Sequence, residues 1–186
     1  KTFRGELGQF FTPRTIVDYM VEVLDPQEGE KICDPCCGSG GFLIKAFEYV
    51  REKIENDVKK AKEEIKKENF TSDFENLPEK KQAEIIKKVD NLFNQLNFEL
   101  DIQNEKGRLR TLSYDCIFGT DANPRMARTA KMNMIMHGDG HGGVHHHDGL
   151  LNINGIFDGR FDVIFTNPPF GSRVEKTSVV SNLDIP

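Results

Sequence analysis

The sequence lacks a basic excess. Its 186 residues carry 25 Lys and Arg against 30 Asp and Glu, a net charge of -5, and the pI is about 5.6. A protein that grips DNA unaided usually shows the opposite balance, because neutralising phosphates supplies most of the affinity. Any nucleic-acid contact is therefore expected to be local or shared with a partner. Long apolar runs are missing too. None approaches the ~20 residues that span a bilayer, and Lys1–Glu6 leads into no apolar segment of the kind a signal peptide needs. Cysteines are few. Cys33, Cys36, Cys37 and Cys116 are expected to be free thiols in an intracellular, reducing compartment, the cytoplasm. Cys33 and Cys36 form a C-x-x-C, a spacing open to zinc or redox chemistry. The plainer reading is a strand-end residue and a small residue in a crowded turn. Hydrophobic residues, at 37%, are scarce and charged ones, at 30%, abundant. Part of the chain is thus expected to be solvated helix, beside one domain with a real core.

What is present has a clear order. Thr12 and Pro13 open a helix, with Thr12 as N-cap and Pro13 at its first position. Ile16, Val17, Met20, Val21 and Leu24 are its expected buried face. Lys31–Asp34 reads as a strand and runs into Pro35–Gly41, a glycine-rich turn followed by a helix. In that helix Leu43, Phe47, Val50, Ile54, Val58, Ala61 and Ile65 form one apolar stripe, opposite a face of mixed charge. Asn69–Asn76 breaks it, and Pro78 starts a second helix with the stripe Ile86, Val89, Phe93 and Leu96. Residues 51–113 are expected to be a helical insert within the domain, its stripes packed on each other or docked on a partner. Cys116–Asp121 is the second strand. Asn123-Pro124 begins another helix, with Met126, Ala127, Ala130, Met134 and Ile135 inward. Val144–His147 and Phe161–Thr166 are the third and fourth strands. The pattern predicts an open, mostly parallel α/β sheet of Rossmann-like type, helices on both faces, with ligands at the carboxyl ends of the strands.

The special residues collect at those ends. Glycines after the first strand let a ligand approach the main chain, and the following helix points free N–H groups at it. Leu43 stands where a third glycine of the dinucleotide fingerprint belongs, so the loop by itself indicates only a nucleotide-like ligand. Asp121 can accept from both ribose hydroxyls, although it lies much further along than the usual ~20 residues, the insert intervening. It can equally cap the helix at Pro124. Asp148 is a third carboxylate on the same rim and can accept from an exocyclic amine. His145, His146 and His147 resemble a metal tract, but on a strand their rings alternate sides, and metal ligation is the lesser reading. The fourth strand stops on Asn167-Pro168-Pro169-Phe170. A planar amine has a delocalised, poorly nucleophilic lone pair. The Asn167 side-chain oxygen and the Pro168 carbonyl are two rigid acceptors that can draw it towards a tetrahedral shape. Neither Pro168 nor Pro169 has an N–H to compete, and Phe170 offers a face for stacking a base. For a base within a duplex this implies flipping it out.

DPCCGSGGF (Asp34–Phe42), Asp121, Asp148 and NPPF, in this order, resemble the S-adenosylmethionine-dependent amino-methyltransferases of DNA. With GQFFTP (Gly8–Pro13) and GTDANPRMARTAKMNMIMHG (Gly119–Gly138), the sequence most resembles the modification subunit of type I restriction–modification systems. The resemblance implies that S-adenosylmethionine is the cofactor. Gln9, Phe11, Thr12 and the turn with Asp34, Pro35, Gly38 and Gly40 would hold its methionine part, Asp121 its ribose and Asp148 its adenine. Phe11 can add cation–π attraction for the sulfonium. Asn167, Pro168, Pro169 and Phe170 would be catalytic, taking a flipped adenine and receiving the methyl on its N6. The implied partners are DNA, a specificity subunit that reads its sequence, and a restriction subunit; no membrane is implied. Modification subunits are much longer, so residues 1–186 are expected to be a methyltransferase domain cut short at its C-terminus, with weak or no activity alone. Rival readings are methylation of a protein glutamine amide, which poses the same lone-pair problem, and an inactive cofactor-binding or docking fragment. A nicotinamide oxidoreductase gives NPPF no task.

Overall fold

A computed structural model describes residues 11–140, 143–149 and 159–168. The elements follow in the order α1 (Arg14–Leu24), β1 (Ile32–Asp34), α2 (Gly41–Asn69), a 3-10 turn (Phe74–Asn76) and α3 (Glu79–Glu99). Then come α4 (Arg108–Thr111), a π-helical turn (Leu112–Cys116), β2 (Ile117–Asp121), α5 (Pro124–Met136), β3 (Val144–His146) and β4 (Val163–Ile164). The strands form one sheet in the order β3-β2-β1-β4. Every pairing is parallel, with Ile32 beside Ile117 and Val163, and Gly119 beside Val144. The expected parallel α/β sheet is thus present. Both crossovers from β1 to β3 step the same way, so right-handed connections put α2 and α5 on one face, where α1 also packs on α2. The chain reverses direction of growth between β1 and β4, and the crevice at that switch point is where open α/β sheets take their ligands.

The core explains the lengths of these elements. Ile32, Ile117, Val144 and Phe165 of the sheet meet Leu43, Phe47, Val50 and Ile54 of α2, with Ala130 and Met134 of α5. Phe42, at the start of α2, stacks on Phe165 with ring centroids 5.5 Å apart. Beyond Ile54 the same stripe leaves the sheet and packs on α3. Lys62 meets Asn97, and Lys88 meets Asn69, so the two helices run antiparallel as a hairpin. Arg108 ties its base together, pairing with Glu28, Asp57 and Glu99.

Several details differ from expectation. Helix α1 starts one residue late. Pro13 is its N-cap, with no side-chain cap bond, and Thr12 stands outside it. The residue before a proline is held extended, which keeps Thr12 out of the helical region. Ile16 and Leu24 are about half exposed, while Val17 and Val21 are buried. An 11-residue helix on the edge of a layer covers only a narrow strip. On α3 it is Val89 that is buried, and Ile86 is exposed at 44%. A two-helix pair buries one line of contact, and Ile85, Val89 and Phe93 lie along it. On α5, Ile135 is exposed, and Ala127, Ala130 and Met134 face in.

Candidate active site

The loop at the rim of the sheet is held through its main-chain groups, mostly by side chains of β2 and α5. After β1 the chain turns at Pro35 and crosses in front of β2. Cys37 N donates to the Thr120 carbonyl at 2.9 Å. Thr120 Oγ1 donates to the Pro35 carbonyl at 2.9 Å, and Gly38 N to Asp121 Oδ2 at 2.9 Å. Asn133 of α5 donates to the Ser39 carbonyl at 3.0 Å. The loop is therefore stitched to the end of β2 before any ligand arrives. Two glycines are needed for this. Gly40 caps α2 at φ 87° with Ala130 Cβ 3.3 Å from where its own Cβ would be. Gly149 lies against the backbone of Pro35, so a side chain there would push the loop after β3 away.

The three carboxylates foreseen at the strand ends do gather. Asp34, Asp121 and Asp148 all act on the Cys36 thiol, which burial and their charges push up. Asp34 is 1% exposed and accepts from Cys36 N at 3.0 Å. Burial, with Asp121 adding its charge, pushes its carboxyl up to about 7, against the hydrogen bond from Cys36. Asp121 accepts from Asn123 N through Oδ1 at 2.7 Å and from Gly38 N through Oδ2. The cap of α5 is Asn123, whose side chain accepts from Arg125 N at 2.9 Å. Asn123, and not Asp121, thus takes the capping role directly. Each Asp121 oxygen still has a lone pair for a ligand hydroxyl. Asp148 sits where His147 and Gly149 bring it to the loop, and His147 N is bound to the Asp121 carbonyl at 3.1 Å. His146 binds the Ala122 carbonyl through Nε2 at 3.0 Å. Cys33 is buried, and its thiol is pushed up to about 12, chiefly by that burial. All four cysteines are free thiols.

Between this rim and α1 lies a cleft of about 70 Å³, lined by Phe11, Thr12, Asp34, Gly38, Phe42 and Asn167 among others. It opens into a wider groove of about 720 Å³ that shares Phe11, Thr12, Val17, Ser39 and Gly41 and continues over α2. Among the described residues, the narrow cleft has no basic side chain in its lining. Buried acid, the start of a helix and the rings of Phe11 and Phe42 together suit a ligand with a cationic centre and a small anionic end. A pyrophosphate would meet the Asp34 carboxyl with no counter-charge among the described lining residues. Asn167 follows β4 and reaches across the cleft, where its Nδ2 donates to Thr12 Oγ1 at 3.0 Å. Pro168 is exposed beside it. Of the expected site residues, Asp34, Pro35, Gly38, Gly40, Asp121, Asp148, Asn167 and Pro168 lie at or just after the strand ends, and Phe11 and Thr12, which precede α1, line the same cleft as Asp34, Gly38 and Asn167. Gln9, Pro169 and Phe170 lie outside the described residues. Sequence reading missed Thr120, Asn133 and Thr166, the last hydrogen-bonded to the Cys36 thiol. Only the place of Thr120 and Thr166 at strand ends marked them.

Comparison with known proteins agrees with this geometry. The profile of the family described as N-6 DNA Methylase matches residues 1–84 and 96–184. The type I restriction enzyme EcoEI methylase subunit of Escherichia coli is 30% identical over 92% of this chain and 25% of its own length. The MjaIX methylase subunit of Methanocaldococcus jannaschii is 28% identical over 89% of this chain and 20% of its own length. Among solved structures, a modification subunit of a putative type I restriction enzyme from Vibrio vulnificus superposes with a TM-score of 0.53 at 27% identity. It covers 96% of this chain and 27% of that one. A structure of the type I R-M system, solved for its complex assembly and conformational transition, gives a TM-score of 0.60 at 26% identity, over 96% of this chain and 26% of that one. The chain thus spans about a quarter of the length of these relatives. With the profile running through the glycine loop, the acidic rim and the Asn-Pro-Pro corner alike, the chain belongs to the N-6 DNA methylase family.

Proposed function

We propose that this chain is the cofactor-binding and catalytic part of a type I modification enzyme that methylates N6 of adenine in DNA. The observation that carries the reading is the convergence of Asn167 and Asp34 on one cleft, from two strands that flank the switch point of the sheet. S-adenosylmethionine, when bound, supplies a methyl group on a sulfonium that keeps the electron pair of the broken carbon–sulfur bond. Phe11, Thr12 and the loop from Asp34 to Gly40 line the place for its methionine part. Asp121 and Asp148 lie further along the rim, for its ribose and adenine. The cleft suits such a molecule, since the cofactor carries a net positive charge and the described lining brings one acid, Asp34, and no base, with Asp121 and Asp148 further along the rim.

The protein's own work is to prepare the amine. Asn167 Oδ1 and the Pro168 carbonyl accept its two N–H bonds and turn its lone pair out of the ring's conjugation. That lone pair forms the new carbon–nitrogen bond, and one amine proton then leaves to water. No strong base is needed, because a protonated methylated amine is acidic enough to lose it. Pro169 and Phe170 continue the corner and would stiffen it and stack the flipped base. DNA sequence is read by a specificity subunit, a division of labour that the acidic balance of the chain supports. A restriction subunit joins the same cytoplasmic complex. Among the described residues no helix is long and apolar enough to cross a membrane.

Two measurements test this. Calorimetric titration with S-adenosylmethionine should give binding that Asp121→Ala weakens severalfold or more. In the full modification complex, Asn167→Ala should lower methyl incorporation into adenine-containing DNA by roughly 10²–10³-fold, the usual cost of one preorganised electrostatic contact. Methylation that survives Asn167→Ala at the wild-type rate, or no cofactor binding by a folded chain, would sink the reading.

A further inference from the structure

We propose that Thr12 is a positioning residue for the transfer: its hydroxyl accepts from Asn167 Nδ2 and so turns the Asn167 carbonyl oxygen towards the amine to be methylated. The inference rests on the function proposed above and adds a role that the cofactor contacts of Thr12 do not include. A carboxamide has an accepting end and a donating end of nearly the same shape. With the oxygen towards the amine, Asn167 draws an N–H bond and sharpens the lone pair. Rotated by half a turn, it presents an NH2 to an NH2, and both the attraction and the polarisation are lost. Something must therefore choose between the two orientations.

The geometry points to Thr12. The Nδ2–Oγ1 distance is 3.0 Å, and both residues are partly buried. No other side-chain hydrogen bond fixes Asn167 among the described residues. The Thr12 hydroxyl is available for this because it does not cap α1. Pro13 has taken the N-cap position, and no side chain bonds to the first turn. Thr12 itself is held extended by the proline that follows it, so its hydroxyl is presented from a stiff backbone. Asn167 in turn follows β4, which is anchored to β1 by the bond from Phe165 N to the Cys33 carbonyl at 2.9 Å. Two fixed backbones from opposite ends of the sequence thus meet through one hydrogen bond, and that bond spans the cleft where the methyl donor would lie.

Thr12→Val keeps the shape and removes the acceptor, and Thr12→Ser restores it. In the full modification complex, Thr12→Val is read at saturating S-adenosylmethionine, so that any loss of its cofactor contact shows in the dissociation constant and not in the rate. The single-turnover methylation rate at saturating cofactor should fall about 10–100-fold, as expected of a misdirected catalytic group. Thr12→Ser should return to within about threefold of wild type. In the chain alone, the side-chain amide signals of Asn167 in a nitrogen-15 correlation spectrum should move with Thr12→Val and return with Thr12→Ser. A wild-type single-turnover rate in Thr12→Val, with Asn167→Ala inactive, overturns this inference and leaves the proposed function standing. So does a weakened cofactor affinity with an unchanged rate at saturation, which would make Thr12 a cofactor contact only. Wild-type methylation in Asn167→Ala fails the functional reading itself.

Discussion

The rim of the sheet, assembled from short segments far apart in the chain, and the helical hairpin, one continuous stretch, are held by different means. At the rim, bonds join residues far apart in the chain: Cys37 to Thr120, Gly38 to Asp121, Asn167 to Thr12. Many of the atoms are main-chain atoms and cannot be altered by substitution. In the outer hairpin a line of apolar residues does the holding, and the polar contacts are exposed side chains such as Lys62 with Asn97. One region is fixed by single contacts between distant parts, the other by a repeating apolar line. Precision was invested where a ligand must be oriented, and the hairpin is an extension of α2 that asks little of the sheet.

The largest expected effect separates the two directly. Phe165 is fully buried and stacks on Phe42 beneath the cleft. Phe165→Ala should lower unfolding stability by about 3–5 kcal/mol, the cost of emptying an aromatic site in a core, and cofactor affinity should fall with it. Val89 is the buried residue of α3. Val89→Ala should cost roughly 1–2 kcal/mol for its lost methyl groups and leave affinity unchanged. Chemical denaturation with parallel titrations checks both. Equal losses of affinity would mean that hairpin and rim are one cooperative unit.

A second difference is electrostatic. Burial at the rim has lifted Asp34 from an ordinary 3.8 to about 7. The folded chain therefore holds this proton more tightly than the unfolded chain does. Its contribution to stability is complete below about 3.8 and is lost as pH rises through about 7. Wild type should lose on the order of 4 kcal/mol relative to Asp34→Asn over that window, at about 1.4 kcal/mol for each unit of displacement. Asparagine keeps the acceptor for Cys36 N and never ionises. A pH series of denaturation curves for the two proteins measures the difference, and parallel curves would show that Asp34 ionises as freely as a surface carboxylate.

Smaller again is the ion-pair cluster at the hairpin's base. Arg108 reaches Glu28 at 2.5 Å, Asp57 at 3.3 Å and Glu99 at 3.5 Å. The carboxylates are partly solvated, so Arg108→Met should cost about 1 kcal/mol or less, and raised salt should shrink the gap further. A cost that is large and indifferent to salt would mean that Arg108 acts through packing rather than charge.

How far the sequence reached depended on range. Helices α2 and α3 were legible because a stripe repeats every three or four residues, and the strands because short apolar runs end in acids or turns. The glycine loop announced its own geometry. Asp121 was legible as a rim residue, but its second bond, to Gly38, was not, since nothing local records which main-chain N–H faces a carboxylate brought in by folding. The Thr12–Asn167 contact was hidden for the same reason, and also because Thr12-Pro13 has the look of a capped helix start. Which apolar residues stay exposed was likewise illegible. Ile16 and Ile86 obey the helical period as well as their buried neighbours do, and only the width of the partner surface decides between them.

The smallest effect is the sharpest test of the comparison. Lys62 Nζ lies 2.6 Å from Asn97 Oδ1, so the two helices of the hairpin are adjacent at that level. Replacing residues 63–96 by a short Gly-Ser linker would join them there without stretching either. The removed segment includes Val89 but none of the core residues that pack on the sheet, whose last member along α2 is Ile54. Loop closure across a flexible linker changes slowly with length, by about 0.6 kcal/mol for each doubling. The shortened chain should thus fold, lose the modest stability of the hairpin, and bind S-adenosylmethionine within about twofold of the parent. An affinity that fell tenfold would place part of the ligand's support in the hairpin, about 1.4 kcal/mol of it. Unchanged cofactor binding combined with a loss of methylation in the full complex would put the hairpin's role on a partner instead, at a surface the rim does not need.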